Sequence, residues 1–140
     1  MARSPLTLAA TVTSALPRVV VTGVGSLSEG TSGRYDSAIA ELDDGRRVVV
    51  RVPVDDGADA DLVAEARALR SLTAGVRGVL PFGAPDVLGE TRVDGRLALV
   101  QTLLPGYRVD AAHVPAGRGI ATALATATAQ VHDLPVTVVR

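Results

Sequence analysis

The sequence predicts an α+β fold: a five-stranded antiparallel sheet with one inserted helix, followed by a C-terminal helix. Three observations carry this reading. Val-rich segments of strand length are separated by the Asp-Gly pairs that favour tight turns. A single stripe of helical period falls between the third and fourth of them. The pair Pro105-Gly106 then breaks the chain, and only a helical pattern follows. At 140 residues the chain fits one domain, or one lobe of something larger.

The elements follow in order. Ser4-Pro5 reads as a helix start, with Ser as N-cap and Pro in the first turn, and Pro17 ends that helix. Leu6, Ala9, Thr13 and Leu16 share one side of it. Residues 18–27 are rich in Val and read as a strand, and Ser28 to Gly33 is a turn of small residues. Residues 35–42 form a second strand, Asp43-Asp44-Gly45 a hairpin turn, and residues 47–54 a third strand. Short connections make these three an antiparallel meander. The acidic stretch 55–61 suits a helix N-terminus, and the helix runs to about residue 73. Leu62, Ala66, Leu69 and Leu72 form its apolar stripe. Residues 75–83 read as a loop. Strands at 86–92 and 96–103 flank the turn Asp94-Gly95. A last helix spans 115–132, with Ile120, Leu124, Ala127 and Val131 on one side and Pro135 beyond it. The domain reading is 1–104 for the sheet-bearing lobe with its N-terminal helix. Residues 105–140 are then a hinge and the first helix of a further lobe.

Composition removes whole classes of function. Apolar residues make up 47% of the chain, too many for a disordered tail, and a net charge of -1 is wrong for a polycationic nucleic-acid arm. Aromatics at 2% cannot build a base-stacking platform. There is no Cys, hence no disulfide, thiolate nucleophile or zinc finger. There is no Lys, which removes Schiff-base chemistry and the Walker A loop, and there is no Asn. Every basic residue other than His is Arg, the signature of GC-rich coding. No apolar stretch reaches the ~18 residues of a membrane span. Thr7, Thr11, Thr13 and Ser14 dilute the faintly signal-like N-terminus, so the expected location is the cytoplasm.

Two charged residues stand out. Arg51 interrupts the Val run of the third strand, sharing a face with Arg47 and Val49 while Val48, Val50 and Val52 take the other. Spacing alone favours a solvated sheet face, where Arg is harmless. The other reading is a pair with Glu65, the only acid in the body of the inserted helix, beside its apolar stripe. The loop Ser28-Glu29-Gly30-Thr31-Ser32-Gly33 is small and hydroxyl-rich, able to bring backbone N–H groups to phosphate oxygens, or simply an ordinary hairpin. His132-Asp133 sits at a helix end and His113 in a loop, and neither reads as catalytic.

Taken in order, these residues resemble the first lobe of a protein-kinase-like fold: hairpin loop, strand with a cation, helix with a Glu, two strands and a hinge. The chain is most similar to the aminoglycoside and macrolide phosphotransferase family, and within it to the macrolide 2'-phosphotransferases. The resemblance rests on Leu27-Ser28-Glu29-Gly30, Val48-Val49-Val50-Arg51-Val52-Pro53, Ala64-Glu65-Ala66-Arg67-Ala68-Leu69, Leu103-Leu104-Pro105-Gly106-Tyr107 and Ala129-Gln130-Val131-His132-Asp133-Leu134-Pro135. It implies that Ser28, Gly30 and Thr31 lie over nucleotide phosphates, Val49 touches the base, and Arg51 takes the place of the phosphate-holding Lys with Glu65 orienting it. Backbone groups of Thr102 and Leu104 would pair with the base. The implied cofactor is ATP or GTP with Mg, and the implied acceptor a hydroxyl of a macrolide- or aminoglycoside-type antibiotic. The family's H-x-D-x-x-x-x-N stretch has no counterpart in these 140 residues. The expectation is therefore a truncated, nucleotide-binding portion that transfers no phosphate alone, with self-association through the apolar side of its last helix. A non-catalytic partner-binding module and a degenerate fragment are the alternatives.

Overall fold

The computed structural model describes residues 2–26, 33–106 and 119–134. Helix α1 is Pro5–Ala15, and the Ser4 hydroxyl accepts from the N–H of Thr7 at 3.2 Å, as a Ser N-cap should. The expected stripe is wrong by a rotation. The helix buries Leu8, Thr11 and Val12, while Leu6 is 79% exposed. Nearly every position of this Ala- and Thr-rich helix is small or apolar, so periodicity does not choose a face. The anchor at its start does. The Arg3 guanidinium reaches Asp36 at 3.0 Å, Asp94 at 2.8 Å and the carbonyl of Pro53 at 3.3 Å, fixing how the helix lands on the sheet.

Five strands follow: β1 Val21–Ser26, β2 Tyr35–Leu42, β3 Arg47–Pro53, β4 Val87–Val93 and β5 Arg96–Thr102. All pair antiparallel, in the order β1-β2-β3-β5-β4, so β3 is central. The expected α+β sheet is therefore present. β1 starts at Val21 rather than at residue 18, because a turn follows Pro17, and Leu27 lies outside the described residues. Its neighbour Val20 is held by Asp43 through two bonds of 2.9 and 3.0 Å. Both hairpin turns sit where the Asp-Gly signals put them, with Gly45 at φ 83°, Asp94 at 52° and Gly95 at 79°. In the β2–β3 turn the Arg46 side chain and backbone N–H both donate to Asp44, holding its carboxyl below the ordinary carboxylate range. That pairing supports the turn at neutral pH and is lost as the pH falls through the lowered value.

Strand alternation gives the sheet two different faces. Val48, Val50 and Val52 are fully buried together with Leu8, Val12, Ala38, Ala40, Leu42, Ala98 and Val100 beneath α1. The other face carries Leu97 and Leu99 against Leu62 and Ala66 of helix α2, Asp56–Ser71. Burying a side chain such as Leu62 or Leu99 contributes about 2 kcal/mol each. α2 begins where its acidic stretch predicts. Asp55 accepts from the Ala58 N–H at 2.7 Å, and Asp59 from the Leu97 N–H at 2.7 Å. Leu69 and Leu72 are only half-buried.

Two further corrections concern helices. The expected loop at 75–83 contains a short helix α3, Ala74–Val79, capped by Thr73, which accepts from the Val76 N–H at 3.4 Å. Gly75 and Gly78 disguise it in the sequence. Arg77 staples the segment by donating to the carbonyls of Leu72 (3.1 Å) and Ala84 (2.8 Å). Helix α4 is Ile120–His132, not 115–132. Gly119, at φ 144° and ψ -126°, is not helical, while residues 115–118 and everything from Pro135 lie outside the described residues. The chain divides into two compact units, Met1–Arg70 with Pro85–Leu103, and Ser71–Ala84 with Leu104–Arg140. No helix among the described residues is long and apolar enough to cross a membrane.

The end of α1 lies close against β4 at Gly89. A Cβ there would lie 2.5 Å from the carbonyl oxygen of Ala15 and 2.8 Å from Leu16 Cδ2. Backbone cannot yield as a side-chain tip can, so Gly89→Ala should cost about 2 kcal/mol or more, read as a lower urea midpoint. Gly78→Ala, where a Cβ meets nothing within 4 Å, is the matched control and should be neutral or slightly stabilising.

Candidate nucleotide-binding site

β3 places Arg51 on the α2 side of the sheet, opposite Ser37 and Leu99. The solvated-face reading of Arg51 is not what the structure shows. Its side chain is 20% exposed, and Nη1 donates to Glu65 Oε1 at 2.5 Å. α2 brings Glu65 there because Leu62 and Ala66, three residues before and one after it, are the positions seated on Leu97 and Leu99. A second partner of Arg51 went unnoticed in the sequence. The Arg51 guanidinium carbon lies 4.4 Å from the ring centroid of Tyr35, a cation–π contact. Tyr35 is two residues before Ser37, hence on the same face and diagonal to Arg51. Its hydroxyl donates to the Ala58 carbonyl at 3.3 Å, which holds the ring against α2. An aromatic residue at the start of the strand facing the Arg is the signal that marks it.

The planar guanidinium carries five N–H donors, and Glu65 takes one through Nη1. A cation fixed by a carboxylate on one side and a ring on the other presents its remaining donors in a set direction. That arrangement suits a phosphate.

Of the base-contacting residues expected from the resemblance, Val49 falls on the same face, while Thr102 is in register with Val48 of the α1 face. Val49 is half-buried, and its register partners are Ile39 and Gln101. Gln101 is the second residue that the sequence did not flag. Its Oε1 is buried without a hydrogen-bond partner among the described residues, an acceptor left unsatisfied in a protein interior. By alternation with Leu97 and Leu99 it faces the Arg51 side. The Thr102 N–H donates to the Asp86 carbonyl at 3.0 Å, and its hydroxyl accepts from the Asp86 N–H at 2.9 Å. Leu104 is 40% exposed. Ser28, Gly30 and Thr31 lie outside the described residues. No group of three or more acidic, His or Cys side chains gathers among the described residues, so no metal site is built from them.

The Arg51–Glu65 pair is partly shielded, so it should stabilise more than an open surface pair does. Glu65→Gln and Arg51→Gln should each lower the unfolding free energy by about 1 kcal/mol. A double-mutant cycle in urea should return a coupling of about 1 kcal/mol. A coupling near zero would mean that the contact does not order the guanidinium.

No family model and no curated protein matches this chain. Solved structures do. One titled macrolide 2'-phosphotransferase type I is 25% identical, with a TM-score of 0.59 over 99% of this chain and 46% of its own. Another, macrolide 2'-phosphotransferase MphH from Brachybacterium faecium as the apoenzyme, is 21% identical, with a TM-score of 0.69 over 97% of this chain and 45% of its own. The chain thus spans less than half the length of either neighbour. Along almost all of its own length it is similar in fold to the macrolide 2'-phosphotransferases, as its strand, helix and hinge motifs led one to expect.

Proposed function

We propose that these residues are the nucleotide-binding portion of a small-molecule O-phosphotransferase acting on a macrolide- or aminoglycoside-type antibiotic. The observation that carries this reading is the Arg51–Glu65 pair, a cation held in the central strand by the helix above it and backed by Tyr35. The likeness of fold to two macrolide 2'-phosphotransferases supports the substrate class. In this reading Arg51 holds the α- and β-phosphates of ATP or GTP, and Val49 packs on the base. The carbonyl of Thr102 and the backbone of Leu104 pair with the base, the Thr102 N–H being engaged by Asp86. Gln101 then has a purpose. A purine beside Val49 brings its 6-substituent toward the unsatisfied carboxamide. Ser28, Gly30 and Thr31 cover the phosphates.

Phosphoryl transfer in such folds uses an Asp to receive the acceptor proton, and an Asn with a further Asp to hold Mg²⁺. The sequence has no Asn. The 140 residues therefore bind nucleotide without transferring its γ-phosphate, and the domain division is 1–104 for the nucleotide lobe and 105–140 for the hinge and the next lobe's first helix. Nucleoside triphosphates belong to the cytoplasm, and so does this activity, which would confer antibiotic resistance.

The test is equilibrium binding of ATP and GTP to the purified chain with Mg²⁺, followed by calorimetry. Arg51→Gln should weaken binding about tenfold or more, the loss expected for a charge-assisted phosphate contact. Purine riboside triphosphate, which lacks the 6-substituent, should bind the parent chain about three- to tenfold more weakly than ATP. It should bind Gln101→Leu as well as ATP does. No nucleotide binding at all would end the proposal. Binding that ignores Gln101→Leu would remove only that contact.

A second reading concerns α4. Leu124 and Val131 are 61% and 44% exposed. Apolar side chains left in water favour association, so light scattering at rising concentration should show more than a monomer. Leu124→Glu with Val131→Glu should restore the monomer. A parent chain that stays monomeric at about 100 μM would refute it.

A further inference from the structure

α2 is tied to the sheet along both its sides. Toward β3 the tie is Glu65 to Arg51, and toward β4 it is Arg70 to Glu90 at 2.7 Å. Between α2 and the β4–β5 hairpin, on the side away from Arg51, lies a pocket of about 270 Å³. Its floor is apolar, made by Ala66 and Leu97, with Val63 at the edge. Three guanidinium groups rim it, from Arg67, Arg70 and Arg92. The one carboxylate beside them, Glu90, is taken by Arg70. Arg92 gives one nitrogen to the Gly95 carbonyl at 2.8 Å and keeps its other donors.

Glu90 and Arg92 pair across from Leu99 and Leu97, so alternation turns both toward the α2 side from the edge strand. There they stand beside a helix that adds two more cations. With Arg70 paired to Glu90, Arg67 and Arg92 leave two uncompensated positive charges on one rim, and a bound anion would offset them. An apolar floor adds a second requirement, because inorganic phosphate cannot cover it. We propose that this pocket binds an organic anion: a phosphate or carboxylate on a small aromatic or aliphatic body. The head group lies among Arg67, Arg70 and Arg92, and the body covers Ala66 and Leu97. The site is separate from the Arg51 site and stands whether or not the chain binds nucleotide. Its occupant bridges α2 to β4, and so braces the helix that carries Glu65.

The probe is phenyl phosphate, with inorganic phosphate and phenol as the head group and the body alone. Binding to the full chain is followed by the methyl resonances of Val63, Ala66 and Leu97. Phenyl phosphate should shift these three and bind at least about tenfold more tightly than either control. Arg67→Gln with Arg92→Gln should weaken it about tenfold or more. Both side chains are exposed, and the thermal midpoint should hold. Glu90→Gln acts in the opposite direction. It frees Arg70 and should tighten binding several-fold, a gain that a damaged fold cannot imitate. Equal affinity for inorganic phosphate and phenyl phosphate would overturn the proposal, as would shifts confined to other methyl groups or loosened binding in Glu90→Gln.

Discussion

A charge in the central strand of a sheet has to be paired, and that need shapes this molecule. Arg51 sits in β3 with a β-strand on each side, and the other face of β3 is sealed by α1. It therefore has one direction open, toward α2. Glu65 meets it there, and Tyr35 backs it. Desolvating a lone guanidinium would cost several kcal/mol, more than the neighbouring Leu and Val contacts could spare. The placement of α2 follows. Leu62 and Ala66 must cover Leu97 and Leu99 while Glu65 reaches β3, and a single helix orientation satisfies both.

The two faces of the sheet do different work. The α1 face is a continuous apolar core with one ionic anchor. Asp36 is 4% exposed on that side, and Arg3 reaches it with its backbone N–H and its guanidinium. A buried carboxylate of this kind is unforgiving, since removing one partner leaves the other stranded. The α2 face is a frame, apolar only under the helix centre and charged along both flanks. Asp56 to Arg96, Asp61 to Arg34 and Glu90 to Arg70 join Glu65 to Arg51 in holding α2 to its surroundings. A helix held by several partly exposed pairs is easier to shift than one held by a deep core, because each pair is weak and exchangeable with water.

Arginine is the chain's only long cation, and the structure gives it unlike roles. Arg3 anchors a helix, Arg77 closes a loop on two carbonyls, and Arg51 is the ordered cation of the candidate site. In each the fork of N–H donors meets more than one acceptor, or a carboxylate and a ring, which an ammonium does less well. The letter alone did not separate these uses, since GC-rich coding writes Arg at every basic position. The partners do.

The sequence by itself determined the strands, the turns and the antiparallel pairing of strands joined by those turns. Those depend on alternation and on Asp-Gly chemistry, which act between near neighbours. It also marked Arg51 and Glu65 as the charged residues out of place. What it left open was which face of α1 is buried, because an Ala- and Thr-rich helix has no dominant stripe and a distant ion pair from Arg3 to Asp36 decides it. It hid α3 behind Gly75 and Gly78 and overran the start of α4 at Gly119. It marked Tyr35 only as an aromatic at the start of the strand before Arg51, and gave no sign of Gln101, which is ordinary until β3 and β5, distant in sequence, set it opposite Val49. Local patterns set local structure. The convergence of Tyr35, Arg51 and Glu65, and of three arginines about one pocket, exists only once β2, β3, β4 and α2 are packed together, because each of those contacts joins segments that the sequence keeps apart.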